Sequence, residues 1–363
     1  MNTFKAWVLL CVLVGLLGSM AYADVFNMGG TRNPDGSWNG LASLETVPVG
    51  NPGNVADTRY FSPGFGSVGY TYNIGKYEVT AGQYCEFLNK VAATDTYGLY
   101  HTNMRSYCKI ERSGSSGSYT YSVAADYANR PVNYVSYWDA CRFANWLHNN
   151  QPAGAQDAGT TETGAYTVNG YHGADGATIQ RNAGWKWAVT SEDEWYKAAY
   201  HKNDGVTGNY YSYPTSSDSI PGRDLNDTSG NNANYLADTG LYPIDWPYYT
   251  TVAGEFQNSH SPYGTFDQGG NVWERTEALY FGSYRRLRGG AYLAGDYCLG
   301  ASYRYNEFIL PTHEGGSTGF RVSQVPEPTP VAVLALGGAG LLVRQRGAGR
   351  FRRRAMMRLP LSM

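Results

Sequence analysis

Turn-forming residues constrain this chain more than any other feature. Gly, Asn, Asp, Ser and Pro recur every few residues between Asp24 and Val325, so only short strands fit between them. The chain has 45 Gly, 32 Tyr and 9 Trp but only 16% charged residues. That composition excludes a helix bundle, a coiled coil and charge-driven disorder. The expected class is α+β, with few short helices, a small twisted antiparallel sheet and much irregular loop. Long loops carry backbone polar groups without regular partners. Bound metal, disulfides or stacked Tyr and Trp are means of fixing them.

Three helix starts can be read. Thr80-x-x-Gln83 has the capping-box pattern, and Tyr84, Phe87, Leu88 and Val91 follow at helical spacing. Ser136-x-x-Asp139 precedes Ala140, Phe143, Ala144 and Leu147 at the same spacing. Ser191-x-x-Glu194 precedes Trp195, Ala198 and Ala199 on one face. Residues 151–184 are rich in Gly, Ala and Thr without apolar periodicity, and read as an inserted surface loop or hairpin. Residues 210–234 read similarly.

The ends differ from the body. Lys5, the apolar run Ala6–Leu17 and the small-x-small site Ala21-Tyr22-Ala23 form a secretory leader pattern over residues 1–23. Cys11 lies inside the leader. Residues 24–67 read as a lead-in, 68–325 as the domain and 326–363 as a tail. The segment after Pro326 carries seven Arg and one Glu. Between Asp24 and Val325, 20 basic residues face 29 acidic ones, so no basic face for nucleic acid is expected.

In the tail, Pro326, Glu327, Pro328 and Pro330 precede an uncharged stretch, Val331–Val343, and then an Arg cluster from Arg344 to Arg354. Thirteen residues cover only about 20 Å as a helix, short of a bilayer core. The order of parts resembles the PEP-CTERM sorting signal of exopolysaccharide-producing bacteria. That resemblance implies transient membrane anchoring through the tail, an exosortase-type processing protease as partner, and export to the envelope, cell surface or extracellular matrix.

Five ordered blocks in the body carry a second resemblance. They are Asn73–Thr80 with Gln83-Tyr84 and Phe87–Asn89; Arg130–Ser136 with Trp138–Ala140; Val189–Trp195 with Lys197–Ala199; Ser261–Gly264 leading into Asp267–Glu274; and Arg288–Gly290 with Gly319–Arg321. Together they resemble the sulfatase-modifying factor, or formylglycine-generating enzyme, domain. The family fold is C-type-lectin-like. The resemblance implies structural calcium at Asn271 and Glu274, and at Asn234 in a second segment. It also places Trp273, Tyr303 and Arg304 as ligand-pocket candidates.

The family's copper chemistry uses two cysteines upstream of an Arg. Counted back from Arg304, those positions fall near Asp296 and Ala301. Copper(I) of that kind needs two soft thiolates, so copper is not expected. Cys298 is the one catalytic candidate. Cys85, Cys108, Cys141 and Cys298 permit either disulfides or free buried thiols. The six histidines show no close ligand spacing. The expected function is a non-oxidase binding or structural module whose partner is an envelope glycan or peptide. The alternative is a formylglycine-generating oxidoreductase maturing sulfatases.

Export is expected to leave Asp24 as the first residue and to remove part of the tail beyond Pro328. N-terminal sequencing and intact mass of protein from the native host check this. A full-length cytoplasmic product would contradict it.

Overall fold

The computed structural model describes residues 31–32, 38–39, 43–237, 240, 243–305 and 308–325. The expected leader with Ala21 and Ala23, and the tail with Pro326, Glu327 and Pro328, lie outside the described residues.

The three capping boxes form. In α1 (Ala81–Val91) the Gln83 N–H donates to Thr80 Oγ1 at 3.2 Å, and the Thr80 N–H donates back to Gln83 Oε1 at 3.0 Å. A single-turn helix, α2 (Met104–Tyr107), follows without a periodic signal. Ser136 and Asp139 close the same reciprocal pair on α3 (Tyr137–His148), and Ser191 and Glu194 on α4 (Glu192–Tyr200). Each cap residue is extended, so the first turn's free N–H groups meet side-chain oxygens.

Among the described residues the strands form four small sheets rather than one. β1 (Thr31–Arg32) and β2 (Trp38–Asn39) make a short ribbon, as do β5 (Ile110–Ser113) and β6 (Thr120–Val123). An antiparallel sheet runs β3 (Thr46–Val49), β4 (Tyr72–Gly75), β11 (Val322–Gln324), β7 (Trp187–Val189). Its central pairing sets Ser323 opposite Ile74, joining the two ends of the domain. The other sheet centres on β8 (Trp273–Tyr280), with β9 (Tyr284–Arg288) antiparallel and β10 (Thr318–Phe320) parallel to it. Only Arg321 separates β10 from β11, so one short segment crosses between the two sheets.

Aromatic rings fill the core that Leu and Ile do not. Phe87 on α1 lies 5.3 Å from Phe143 and 5.2 Å from Trp146 on α3, and Phe320 closes on Phe143 at 5.4 Å. Ring centroids at these separations are favourable beyond the area they bury.

Residues 151–184 form a largely exposed irregular stretch, as expected, but a few buried side chains anchor it. Thr161, Ala165 and Tyr166 are fully buried. The Asn145 amide holds them as a strand edge would: Nδ2 donates to the Thr161 and Tyr166 carbonyls, and Oδ1 accepts from the Tyr166 N–H. Arg142 adds a two-pronged, buried pair with Glu162, at 2.7 and 3.1 Å. In the 210–234 stretch, Tyr210, Asn232 and Ala233 are also buried. The pattern was invisible to periodicity because isolated polar side chains, not an apolar face, dock these loops.

Removing one partner of a buried ion pair leaves the other charge uncompensated. Glu162→Gln should therefore cost about 3–5 kcal/mol in urea unfolding and open residues 151–184 to proteolysis. Replacing both partners, Arg142→Met with Glu162→Leu, should recover most of the loss. Equal stability of Glu162→Gln and the parent would refute this anchoring role.

Candidate functional site

The site that the sequence singled out lies where β8, β9 and the turn Asp296–Leu299 meet. Trp273 opens β8 and is nearly buried, with Tyr305 at 4.6 Å and Tyr303 at 6.0 Å. Tyr297 stands against Tyr303 at 5.5 Å and is 64% exposed, which gives this aromatic group an open edge. Trp273 and Tyr303 are thus brought together.

Cys298 lies within this group and is 4% exposed. Burial pushes its thiol up, and the Tyr297 and Tyr303 hydroxyls offset this only in part. It is therefore a protonated thiol at neutral pH, not a nucleophilic thiolate. The two flanking positions supply no second thiol. Asp296 Oδ1 accepts from the Tyr297 N–H at 2.7 Å, and Ala301 is fully buried with its N–H on the Ser212 carbonyl.

Arg304 is directed elsewhere. Its Nε and Nη2 fork onto Glu192 at 2.8 and 2.5 Å, and its guanidinium lies over Phe65. Arg288 Nε donates to the same carboxylate at 2.9 Å. Burial acts to raise Glu192, but Arg288 and Arg304 outweigh it and hold the carboxyl below its usual range. Glu192 was not singled out as a site residue. Its place inside the Val189–Trp195 block was the available signal.

The calcium candidates divide. Asn234 and Asn271 come together: Asn271 Oδ1 accepts from the Thr251 N–H at 3.0 Å and from Asn234 Nδ2 at 3.4 Å. Gly270, at φ +86°, permits this approach, because a Cβ there would stand 2.2 Å from the Asn234 carbonyl oxygen. Asn234 Oδ1 is buried without a hydrogen-bond partner, a donor suited to a hard cation. Glu274 is differently employed. Its Oε1 accepts from Arg321 Nη2 at 2.7 Å, and its Oε2 from Arg321 Nε at 2.5 Å and Trp195 Nε1 at 2.8 Å. A carboxylate so saturated, beside a guanidinium, does not fit a cation in this arrangement. Among the described residues no group of three His, Cys, Asp or Glu could hold a metal ion.

With this geometry in place, the sulfatase-modifying factor enzyme 1-like domain model matches residues 62–325. The chain belongs to that family. The domain's fold is α+β, with few helices, small sheets and much loop. No curated protein matches the chain. Among solved structures, CarF is 19% identical, with 78% of this chain and 99% of that chain covered, at a TM-score of 0.48. Treponema denticola variable protein 1 is 17% identical, covering 79% and 97%, at 0.46. PvdO from Pseudomonas aeruginosa is 17% identical, covering 84% and 99%, at 0.40.

All four of the domain's cysteines, Cys85, Cys108, Cys141 and Cys298, are free and buried. Burial pushes Cys85 and Cys141 up to about 12 and Cys108 up to about 11. Native protein at pH 7 should therefore resist an aromatic disulfide reagent, and denatured protein should react at all four positions. A cysteine titrated rapidly in the native state would contradict the burial, and a shortfall after denaturation would reveal a disulfide.

Proposed function

We propose that this chain is an exported, surface-associated member of the family that binds a ligand or builds structure and does not oxidise cysteine. The observation that carries this reading is the missing thiolate pair. Asp296 and Ala301 occupy the positions where the resemblance requires two cysteines, and Cys298 between them is held protonated. The open edge at Tyr297, backed by Trp273 and Tyr303, supports binding, because aromatic faces with a polar rim suit glycans and peptides. The ligand class in this reading is an envelope glycan or peptide, and Arg304 contributes by fixing Glu192 rather than by contact.

The leader and tail support export, transient anchoring and trimming by an exosortase-type protease. A structural calcium ion would draw on Asn234 and Asn271 oxygens. Glu274 would join it only by releasing Arg321. Melting of the parent and of Asn234→Ala, each in calcium and in chelator, checks the ion. A calcium-dependent rise of melting temperature in the parent alone is expected, and identical melts in every condition would refute it.

The formylglycine-generating alternative rests on family membership. The deciding assay incubates a sulfatase-type Cys peptide with the purified protein, with and without copper, and reads the peptide mass. No conversion to the aldehyde is expected. Turnover abolished by Cys298→Ser would overturn the binding reading.

A further inference from the structure

A cavity of about 150 Å³ opens between the start of α3 and the loop at Thr312–Glu314. It shares no residue with the aromatic group around Cys298. That volume equals the size at which a protein cavity accepts a six-membered ring, about 150 Å³. Its lining is chemically uneven. Trp138 and Tyr97 supply aromatic wall, Asp139 and Glu314 supply carboxyls, and Ser136 and Thr312 supply hydroxyls.

Of the cations nearby, Arg142 is paired and Arg275 bonds the Val135 and His313 carbonyls, with its Nη1 left over. Arg142 also lines the cavity, but its guanidinium is paired with Glu162 and stacked 4.6 Å from the Tyr97 ring centroid. Arg275, on β8, opposes the charge of both carboxyls, while its Nε donates to the Val135 carbonyl. Asp139 accepts from the Ser136 N–H at 2.7 Å. Glu314 is left with His101, whose Nε2 stands 4.0 Å from Oε2 and whose ring stacks on Tyr134. His172, on the far wall, uses Nδ1 on the Gly170 carbonyl. If Arg275 is set against Asp139, Glu314 is left without a cation of its own beyond His101.

We propose that this cavity binds a small organic cation, a primary ammonium compound, whose charged head is held by Glu314 and Asp139 and whose body lies against Trp138. Burial, with Asp139 and Asp95 adding, pushes Glu314 up to about 8 against the opposing pull of Arg275. Glu314 therefore holds its proton more tightly than an ordinary carboxyl, and an ammonium group takes that proton's place. The exchange is balanced: the carboxyl O–H gives its proton to solvent, and the ligand's N–H groups donate to the freed carboxylate.

Calorimetry on the purified full chain tests this with cyclohexylamine and ethanolamine, against cyclohexanol and ethylene glycol as neutral counterparts. Titrations at pH 7 run in phosphate and in HEPES, whose ionisation heats differ. The amines should bind with net release of protons, because Glu314 is raised to about 8 and gives up its proton to bind the ammonium. Affinity should rise from pH 6 to pH 8. Glu314→Gln should abolish proton release and weaken amine binding at least about tenfold, the loss of one charge-assisted hydrogen bond. Glu314→Asp, which keeps the charge, should retain proton release, so a folding defect in one variant does not decide the matter. The proposal fails if cyclohexanol binds as well as cyclohexylamine, or if neither amine binds. It also fails if Glu314→Gln binds like the parent, or if calcium chloride alone reproduces the proton release.

Discussion

Arg321 is the bolt of the fold. It lies between β10 and β11, fully buried, at the one step where the chain passes from the sheet around β8 to the sheet around β4. Its Nε and Nη2 fork onto Glu274 of β8, Nη1 donates to the Gly75 carbonyl at the end of β4, and Nη2 also reaches the Phe266 carbonyl. Burying a guanidinium is costly unless every donor finds an acceptor and the charge finds a partner. Here both conditions are met, so the cost of desolvation becomes a demand for geometry. The two sheets can satisfy Arg321 only in one relative placement.

Other buried arginines also gather loop carbonyls, but less completely, since Arg275 Nη1 and Arg285 Nε have no hydrogen-bond partner. Arg142, Arg275, Arg285 and Arg288 are at most 1% exposed. Arg285 Nη2 donates to the Gly176 and Ile179 carbonyls, and Arg275 Nε to that of Val135. A guanidinium offers five donors in a fixed fork, so one side chain can gather several loop carbonyls that no strand or helix pairs. This answers the question that the loop-rich composition raises. The loops are fixed by buried arginines, by asparagine amides such as Asn145 and by stacked rings, and not by disulfides.

That division explains what could be read from the sequence. The capping boxes at Thr80, Ser136 and Ser191 were legible because their partners lie three residues apart. The family was legible because its blocks are local words in a fixed order. The anchoring of residues 151–184 was not, because Glu162 meets Arg142 from 20 residues away and carries no periodic mark. Trp273 and Tyr303 come together, whereas Arg304 and Glu274 lie in the same short motifs but pair with Glu192 and Arg321. A motif identifies a residue's neighbourhood. Which way its side chain points depends on charges brought in from distant segments.

The architecture also bears on how a family can keep its fold while its chemistry varies. The framework around the site is held by Trp195, Glu274 and Arg321 on one side and by Glu192, Arg288 and Arg304 on the other. None of these contacts passes through Asp296, Cys298 or Ala301. The turn that carries those three residues uses backbone bonds, Cys298 N–H to the Gly295 carbonyl and Ala301 N–H to the Ser212 carbonyl, together with the Asp296 carboxylate on the Tyr297 N–H. The ionic framework and the turn at Asp296–Ala301 are separate parts of one scaffold, so the fold alone does not decide the chemistry at the turn, which is read residue by residue.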